Sequence, residues 1–351
     1  MARPAVAMTA PQAEGITWHD VREWGVEGKG WGEAESANYY DRLPGRAKGH
    51  VRDAVWNLSR HSAGMLTRFR TDADAIWVDY KVTSGRLDMP HMPATGVSGV
   101  DLYATDGAGD WRWLAVTRPT TQTVKTRIIG SLLPGSREYT AYLPLYNGTE
   151  YLKIGVSAGA SFEPIAPRTI KPIVFYGTSI THGACASRPG MPHPAILGRR
   201  LKRPVINLGF SGNGKMEKEV GEYLCELDPA VYVIDCLPNM VGAEVAARTE
   251  PLVRQLRNAR PETPILLVED RTYANAGFVR GSRERHAASR KALRTAYERL
   301  VSEGFDKLGY LNGEGLLGKD RDDTTDGSHP SDLGFYRHAE AMQKALVKLG
   351  C

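Results

Sequence analysis

The chain is poor in cysteine, with four residues in 351, and their placement excludes more than their number does. Cys185, Cys225, Cys236 and Cys351 form no C-x-x-C pair and no pattern with histidine, so neither a zinc site nor a disulfide framework is implied and free thiols are expected. Long apolar runs are missing too. No stretch reaches the roughly 18 residues that a bilayer span needs, and Met1 to Gly15, though rich in Ala and Pro, lacks the continuous apolar core of a signal peptide. A cytoplasmic protein is therefore expected, or a periplasmic or secreted one if a leader has been removed. Charge of one sign is also scarce: the net +5 is spread along the chain and clusters only between Arg280 and Arg299, where Glu284 and Glu298 interrupt it. With no nucleic-acid motif beside it, that run reads as the solvated face of a helix, and no nucleic-acid partner is expected.

What remains is an ordinary globular composition, 42% hydrophobic and 24% charged, at a length that suggests two domains. The pattern changes near Phe162-Glu163-Pro164-Ile165-Ala166-Pro167, where two nearby prolines interrupt any regular ladder, which gives domains at 1–165 and 166–351. Before that point Ile76, Val78, Tyr80 and Val82 alternate with Trp77, Asp79 and Lys81, as a half-buried strand requires. Further short runs (67–70, 100–104, 111–116, 125–129, 138–143 and 152–156) lie between turn-forming clusters, so the spacing predicts an all-β sandwich of jelly-roll type. After the prolines, strand-like runs at 172–177, 204–208, 230–237, 264–269 and 307–311 alternate with helical ones at 193–202, 216–226, 243–259 and 281–303, and a last helix follows Ser331. Such βα alternation predicts a parallel sheet covered on both faces, with ligands outside the carboxyl ends of its strands.

Four segments carry the chemistry, three of them at such strand ends and the fourth in a polar loop just before the last helix. Val174-Phe175-Tyr176-Gly177-Thr178-Ser179 is a strand that stops at a turn bearing a hydroxyl, a candidate nucleophile if a base can take its proton. Asp326-Gly327-Ser328-His329 offers that base, with a carboxylate three positions away to fix its tautomer. Gly209-Phe210-Ser211-Gly212-Asn213-Gly214 supplies backbone N–H groups, and Asn239 after Pro238 supplies an amide, either of which can hold a developing oxyanion. Taken singly, each has a plainer reading: Ser179 as a helix cap, Gly212 as a turn with positive φ, Asn239 and Asp326 as loop caps. Taken together and in this order, they read as one active site.

The order serine, glycine, asparagine, Asp-x-x-His resembles the four blocks of the SGNH hydrolases, the GDSL lipase/esterase superfamily. Two departures stand out: Gly-Asp-Ser-Leu is Gly177-Thr178-Ser179-Ile180 here, and the third block, Leu237-Pro238-Asn239-Met240, keeps only its asparagine. Gly99-Val100-Asp101-Leu102-Tyr103 is similar to the Gly-x-Asp-Leu-Tyr motif of a module found ahead of such enzymes, with Leu102 expected in the core and Asp101 and Tyr103 hydrogen-bonded. The resemblance implies a three-layer, flavodoxin-like α/β/α domain behind the sandwich. It implies a triad of Ser179, Asp326 and His329, an oxyanion hole from the Ser179 N–H, Gly212 and Asn239, and no metal or organic cofactor. The implied activity is a serine esterase removing short acyl groups, acetyl first, from carbohydrates. The alternatives are an acyltransferase using the same acyl-enzyme and, more remotely, a saccharide-binding protein. Trp24, Trp31, Trp56, Trp77, Trp111 and Trp113 could stack on sugars, although most are expected in the core. His182 and His193 have no spaced partner and are read as packing or surface residues. His91, in Met89-Pro90-His91-Met92-Pro93, lies in an extended loop of the first domain, and the sequence leaves open whether it overhangs the site.

Overall fold

A computed structural model describes residues 15–351; residues 1–14, on which most of the signal-peptide reading rests, lie outside the described residues. Among the described residues nine strands form the first unit: β1 (Ile16–Asp20), β2 (Leu66–Thr71), β3 (Ile76–Val82), β4 (Asp101–Thr105), β5 (Trp111–Val116), β6 (Thr123–Ile129), β7 (Arg137–Tyr142), β8 (Thr149–Ser157) and β9 (Phe162–Ile165). They make two antiparallel sheets, ordered β1-β8-β3-β6 and β5-β4-β7-β2-β9. The alternation in β3 places Ile76, Val78, Tyr80 and Val82 inward, where Val78 pairs with Ile154 and Tyr80 with Leu152. Phe69, Leu102 and Tyr139 of the other sheet complete this core.

The expected break at Phe162–Pro167 is partly a strand. In β9, Pro164 sits opposite Phe69 of β2, a position that tolerates proline because β9 is the sheet's edge among the described residues and its missing N–H faces no neighbour there. β1 was also not foreseen; among the described residues it is a second edge strand, paired only with β8.

The second unit is a parallel sheet of β10 (Ile173–Gly177), β11 (Val205–Gly209), β12 (Val231–Asp235), β13 (Ile265–Val268) and β14 (Leu308–Leu311), in the order β11-β10-β12-β13-β14. Every residue of β10, β11 and β12 is buried, as expected of strands covered on both faces. Two short helices, α1 (Asp53–Ser59) and α2 (Ala94–Val97), belong to the N-terminal half. α3 (Ser179–His182), α4 (His193–Arg200), α5 (Lys218–Glu226), α6 (Gly242–Ala259), α7 (Arg280–Ser302) and α8 (Asp332–Lys348) surround the parallel sheet, the longer ones within a turn of their expected limits. In this flavodoxin-like order the connections change direction at β10, so a crevice opens between the carboxyl ends of β10 and its neighbours. No described helix is long and apolar enough to cross a membrane.

One packing relation crosses the chain. Trp31, Leu43, Val51, Val55 and Trp56, all N-terminal to β2, are buried in the same core as Val174, Ile206, Leu224 and Leu256 of the α/β unit. Their side chains cover one face of the parallel sheet alongside α5 and α6.

Candidate active site

β10 ends at Gly177, and Thr178 then caps α3: its Oγ1 accepts from the Ile180 N–H. The cap is thus one residue before Ser179, which begins the helix with its hydroxyl free for another partner. That partner is His329, whose Nε2 lies 2.8 Å from Ser179 Oγ. The other ring nitrogen, Nδ1, is 2.7 Å from Asp326 Oδ2. Asp326 Oδ1 accepts from the N–H groups of Ser328 (3.0 Å) and His329 (2.8 Å), so one carboxylate both caps its loop and holds the ring. The fold-back of the loop depends on Gly327, whose φ of 87° is left-handed. Burial alone would raise the Asp326 carboxyl, but the bonds from the His329 N–H, the His329 ring and the Ser328 N–H outweigh it and hold the group below the usual carboxylate range. A carboxylate that stays ionised holds the ring by its Nδ1 proton and leaves Nε2 facing Ser179.

Two further turns approach from the neighbouring strands. After β11, Gly212 adopts φ 70°, and a Cβ built there would meet open space, so the turn explains the glycine and exposes its backbone. Gly214 is required by contact, since a Cβ there would overlap the Gly177 carbonyl oxygen. After β12, the Asn239 amide is oriented with Oδ1 accepting from the N–H groups of Asn213 and Gly214, 3.1 Å each. The reverse orientation would offer only 3.4 and 3.3 Å contacts to the Phe210 and Gly214 carbonyls. This ties Asn239 to the glycine turn and leaves Nδ2 on its opposite edge as a donor. The Ser179 N–H, at the first position of a helix, has no intrahelical acceptor.

Several positioning residues carried no signal in the sequence, and His182, read there as a packing or surface residue, joins them in the core. Asn207 joins β11 to α3, its Nδ2 donating to the Thr181 carbonyl (2.7 Å) and its Oδ1 accepting from the Gly209 N–H (2.9 Å). Arg42, 1% exposed, donates to the carbonyls of Leu58, His61, Asn207 and Gly209 at 2.6–3.0 Å. Burial pushes its pKa down to about 9. His182 is fully buried, donates from Nε2 to the Leu145 carbonyl (2.7 Å) and stacks on Tyr146 at 4.0 Å, while the Tyr146 hydroxyl donates to the Ser179 carbonyl (3.3 Å). Arg271 donates from Nε to the Ser328 carbonyl (2.8 Å) and from Nη2 to the Ser328 hydroxyl, and it pairs with buried Asp270. It thereby fixes the loop between Asp326 and His329.

The basic run on α7 is not simply a solvated face. Arg285 donates to the Pro238 carbonyl (2.8 Å) and Arg290 to the Asp270 carbonyl (2.9 and 2.7 Å), so these arginines satisfy backbone oxygens at the carboxyl ends of β12 and β13. Periodicity alone cannot separate such inward-reaching arginines from solvated ones, because the long stem carries the charge beyond the helix face.

Behind the nucleophile, His193 of α4 and His338 of α8 stack at 4.3 Å with planes 13° apart, and Asp235 lies beside them, its Oδ2 3.8 Å from His193 Nε2. All three are buried. One ligand atom from each of the three lies within 4.8 Å of the others, and the ring nitrogens of both histidines have no hydrogen-bond partner among the described residues. Burial lowers both histidines, each further depressed by a neighbouring cation or imidazole. Burial pushes Asp235 up to about 7, against the pull of Arg271 and the Thr181 hydroxyl and with a small push from Asp270. A carboxyl with a raised folded-state pKa contributes stability that is complete below its unfolded value, about 4, and is lost as pH rises toward 7. Asp235→Asn, which cannot ionise, is therefore expected to gain thermal stability relative to the native protein between pH 4 and pH 8. Melting curves of both proteins across that range check this; a difference that stays flat with pH would show that Asp235 is ionised in the folded state.

The Gly-x-Asp-Leu-Tyr segment joins the two units. Asp101 is completely buried; its Oδ1 accepts from Trp113 Nε1 (2.8 Å) and its Oδ2 from the Gly190 N–H (2.8 Å) and Arg188 (3.2 Å). Tyr103 also bonds Arg188, and a Cβ at Gly190 would strike its ring. These contacts hold the loop between α3 and α4. Trp31 and Trp56 are core residues, and Trp113, the most exposed of the buried-or-not tryptophans named above at 47%, carries the Arg188 guanidinium over its ring at 4.8 Å.

A parallel sheet with a serine at its crevice and a histidine and carboxylate aligned behind it is the framework of a hydrolase. Residues 170–347 match the GDSL-like lipase/acylhydrolase family, and residues 16–162 match the GxDLY domain, described as the N-terminus of SGNH-hydrolase-type esterases. The chain belongs to the GDSL-like lipase/acylhydrolase family. A GDSL-like lipase from Bacteroides ovatus is 32% identical over 95% of this chain and 98% of its own, with a TM-score of 0.89. Two more distant structures share the fold. Salicylyl-acyltransferase SsfX3 from a tetracycline biosynthetic pathway is 18% identical, with 97% of each chain covered and a TM-score of 0.72. The acetyl xylan esterase Est2A of Butyrivibrio proteoclasticus is 11% identical, with 96% and 99% covered and a TM-score of 0.58. No curated protein matches the sequence.

Proposed function

We propose that this hydrolase is a serine esterase that removes short acyl groups, acetyl above all, from carbohydrates. The observation that carries the reading is the unbroken relay from Ser179 Oγ through His329 to Asp326, at 2.8 and 2.7 Å. His329 Nε2 takes the Ser179 proton as Oγ bonds to the ester carbonyl carbon, and the carbonyl electrons move onto oxygen. The N–H groups of Ser179 and Gly212 and the Asn239 amide receive that oxyanion. Collapse breaks the bond to the alcohol oxygen, which takes the proton from His329 and leaves the acyl group on Ser179. Water, deprotonated by the same imidazole, then repeats the sequence and releases the acid. None of these steps requires a metal or organic cofactor.

The choice of an acetylated saccharide is supported by carbohydrate esterases among the proteins that share the fold, such as the acetyl xylan esterase above. The shared two-unit fold of SsfX3 supports the second reading, transfer of the acyl group to an acceptor alcohol. Hydrolysis of p-nitrophenyl esters of increasing acyl length is expected to be fastest for acetate and to fall steeply beyond butyrate. A preference for long chains would overturn the short-acyl assignment. Product in which an added sugar or alcohol, rather than water, holds most of the acyl group would assign the transferase instead.

A further inference from the structure

Met89 and Met92 exchange backbone hydrogen bonds, 2.9 Å from the Met89 N–H to the Met92 carbonyl and 3.0 Å in return, which leaves Pro90 and His91 at the tip of a tight turn. The turn is anchored at its base. Met92 is 2% exposed and shares a core with Phe175, Ile180 and Leu145 of the site's own framework. The following helix α2 is bound to the loop beyond the nucleophile, where Thr95 Oγ1 donates to the Ser187 carbonyl (2.6 Å). A Cβ added at Gly96 would collide with the Ala186 carbonyl, so α2 rests on that loop at backbone contact. This rigid support carries an exposed imidazole to the catalytic centre: the His91 ring lies 6.1 Å from the His329 ring, tilted by 36°.

His91 is not a second member of the relay, because both nitrogens of His329 are already engaged by Ser179 and Asp326. Its position beside the base decides what it can touch. His329 returns its proton to the leaving alcohol oxygen, so the alcohol half of the ester stands on the His329 side of Ser179, and the acyl half occupies the side of the oxyanion donors. We propose that His91, supplied by the β-sandwich unit, is a specificity residue that binds the alcohol portion of the substrate. An imidazole offers one hydrogen-bond donor and one acceptor in its neutral form, which suits the hydroxyls of a polyhydroxylated leaving group. The active site is therefore completed by the first unit, and selectivity for the alcohol is separate from selectivity for the acyl group.

The proposal rests on the esterase reading, and the test separates the two. kcat and KM are measured for the native protein, His91→Ala and His91→Gln with p-nitrophenyl acetate, whose leaving group has no hydroxyl array, and with acetylated xylose. His91→Ala is expected to lose about tenfold in kcat/KM on acetylated xylose, the effect of one net hydrogen bond, mainly through KM. On p-nitrophenyl acetate it should stay within about twofold, and His91→Gln, which keeps a donor and an acceptor, should recover most of the loss. An equal loss on both esters would place His91 on His329 or on the fold and overturn the proposal; so would no loss on either. A native protein inactive on both esters would overturn the esterase reading itself, whereas serine-dependent activity with unaltered selectivity in His91→Ala would overturn only the role of His91.

Discussion

Ser179→Ala is expected to lower kcat on p-nitrophenyl acetate by about 10⁶-fold, the scale on which removal of a triad nucleophile acts, with no change in melting temperature beyond about 2 °C. The stability half of this expectation follows from the capping arrangement. Thr178, not Ser179, satisfies the first turn of α3, so losing Oγ costs the helix no cap. The tight packing of Gly177 against Thr181 and of Gly209 against His182 is likewise untouched. What disappears is the one oxygen that His329 Nε2 faces. Residual rate above the uncatalysed reaction would come from the oxyanion donors and from binding. Turnover close to native would assign the nucleophile to another residue or to water, and stopped assays that compare kcat with thermal melts distinguish loss of chemistry from loss of fold.

Asp326→Asn is expected to reduce kcat by about 10⁴-fold at neutral pH. The native carboxylate accepts the His329 Nδ1 proton at 2.7 Å, leaving Nε2 as the basic atom facing Ser179. An asparagine that turns its Nδ2 toward the ring demands an acceptor there, and the imidazole answers by moving its proton to Nε2, where it can donate to Ser179 but not deprotonate it. The carboxylate held below its usual pKa also stabilises the imidazolium formed during attack, and that contribution goes too. Asn Oδ1 can still accept from the Ser328 and His329 N–H groups, so the loop should survive. The measurement is the pH–rate profile of the variant: the deficit should shrink toward high pH, where hydroxide replaces the missing base. A loss below tenfold at neutral pH would show that Asp326 merely caps its loop.

The chemistry of the site was easier to read in the sequence than its support. Ser179, Gly212 and Asn239 follow strands that are continuous apolar runs, and such runs with polar ends reveal both the parallel sheet and the place where a ligand must sit; Asp326 and His329 stood out only by their spacing in the polar loop before the last helix. The strand periods of β3 and β8 revealed the sandwich for the same reason, since one face is buried and one is not. Arg42 and Asn207 were invisible because their role is to satisfy carbonyl oxygens, and every residue has one of those. Arg271 was invisible because its partner, Ser328, lies 57 positions away in a loop. Pro164 misled because the rule against proline in ladders has an exception at edges, and an edge is defined only once the sheet is assembled. His91 could be singled out but not placed, since its distance from His329 depends on how two units dock.

That docking has a consequence for how such a protein can change over generations. Trp31, Leu43, Val51, Val55 and Trp56 precede most of the β-sandwich in the chain yet close the core around Val174 and Ile206 of the α/β unit, and Asp101 returns a carboxylate to the Gly190 loop. A recombination event that exchanged the N-terminal half for that of a distant cousin would strip one sheet face of its cover and the catalytic loop of its tether. The two halves can therefore drift only in step, and new alcohol preferences are most accessible through small edits at the tip of the Met89–Met92 turn, where neither core is at stake.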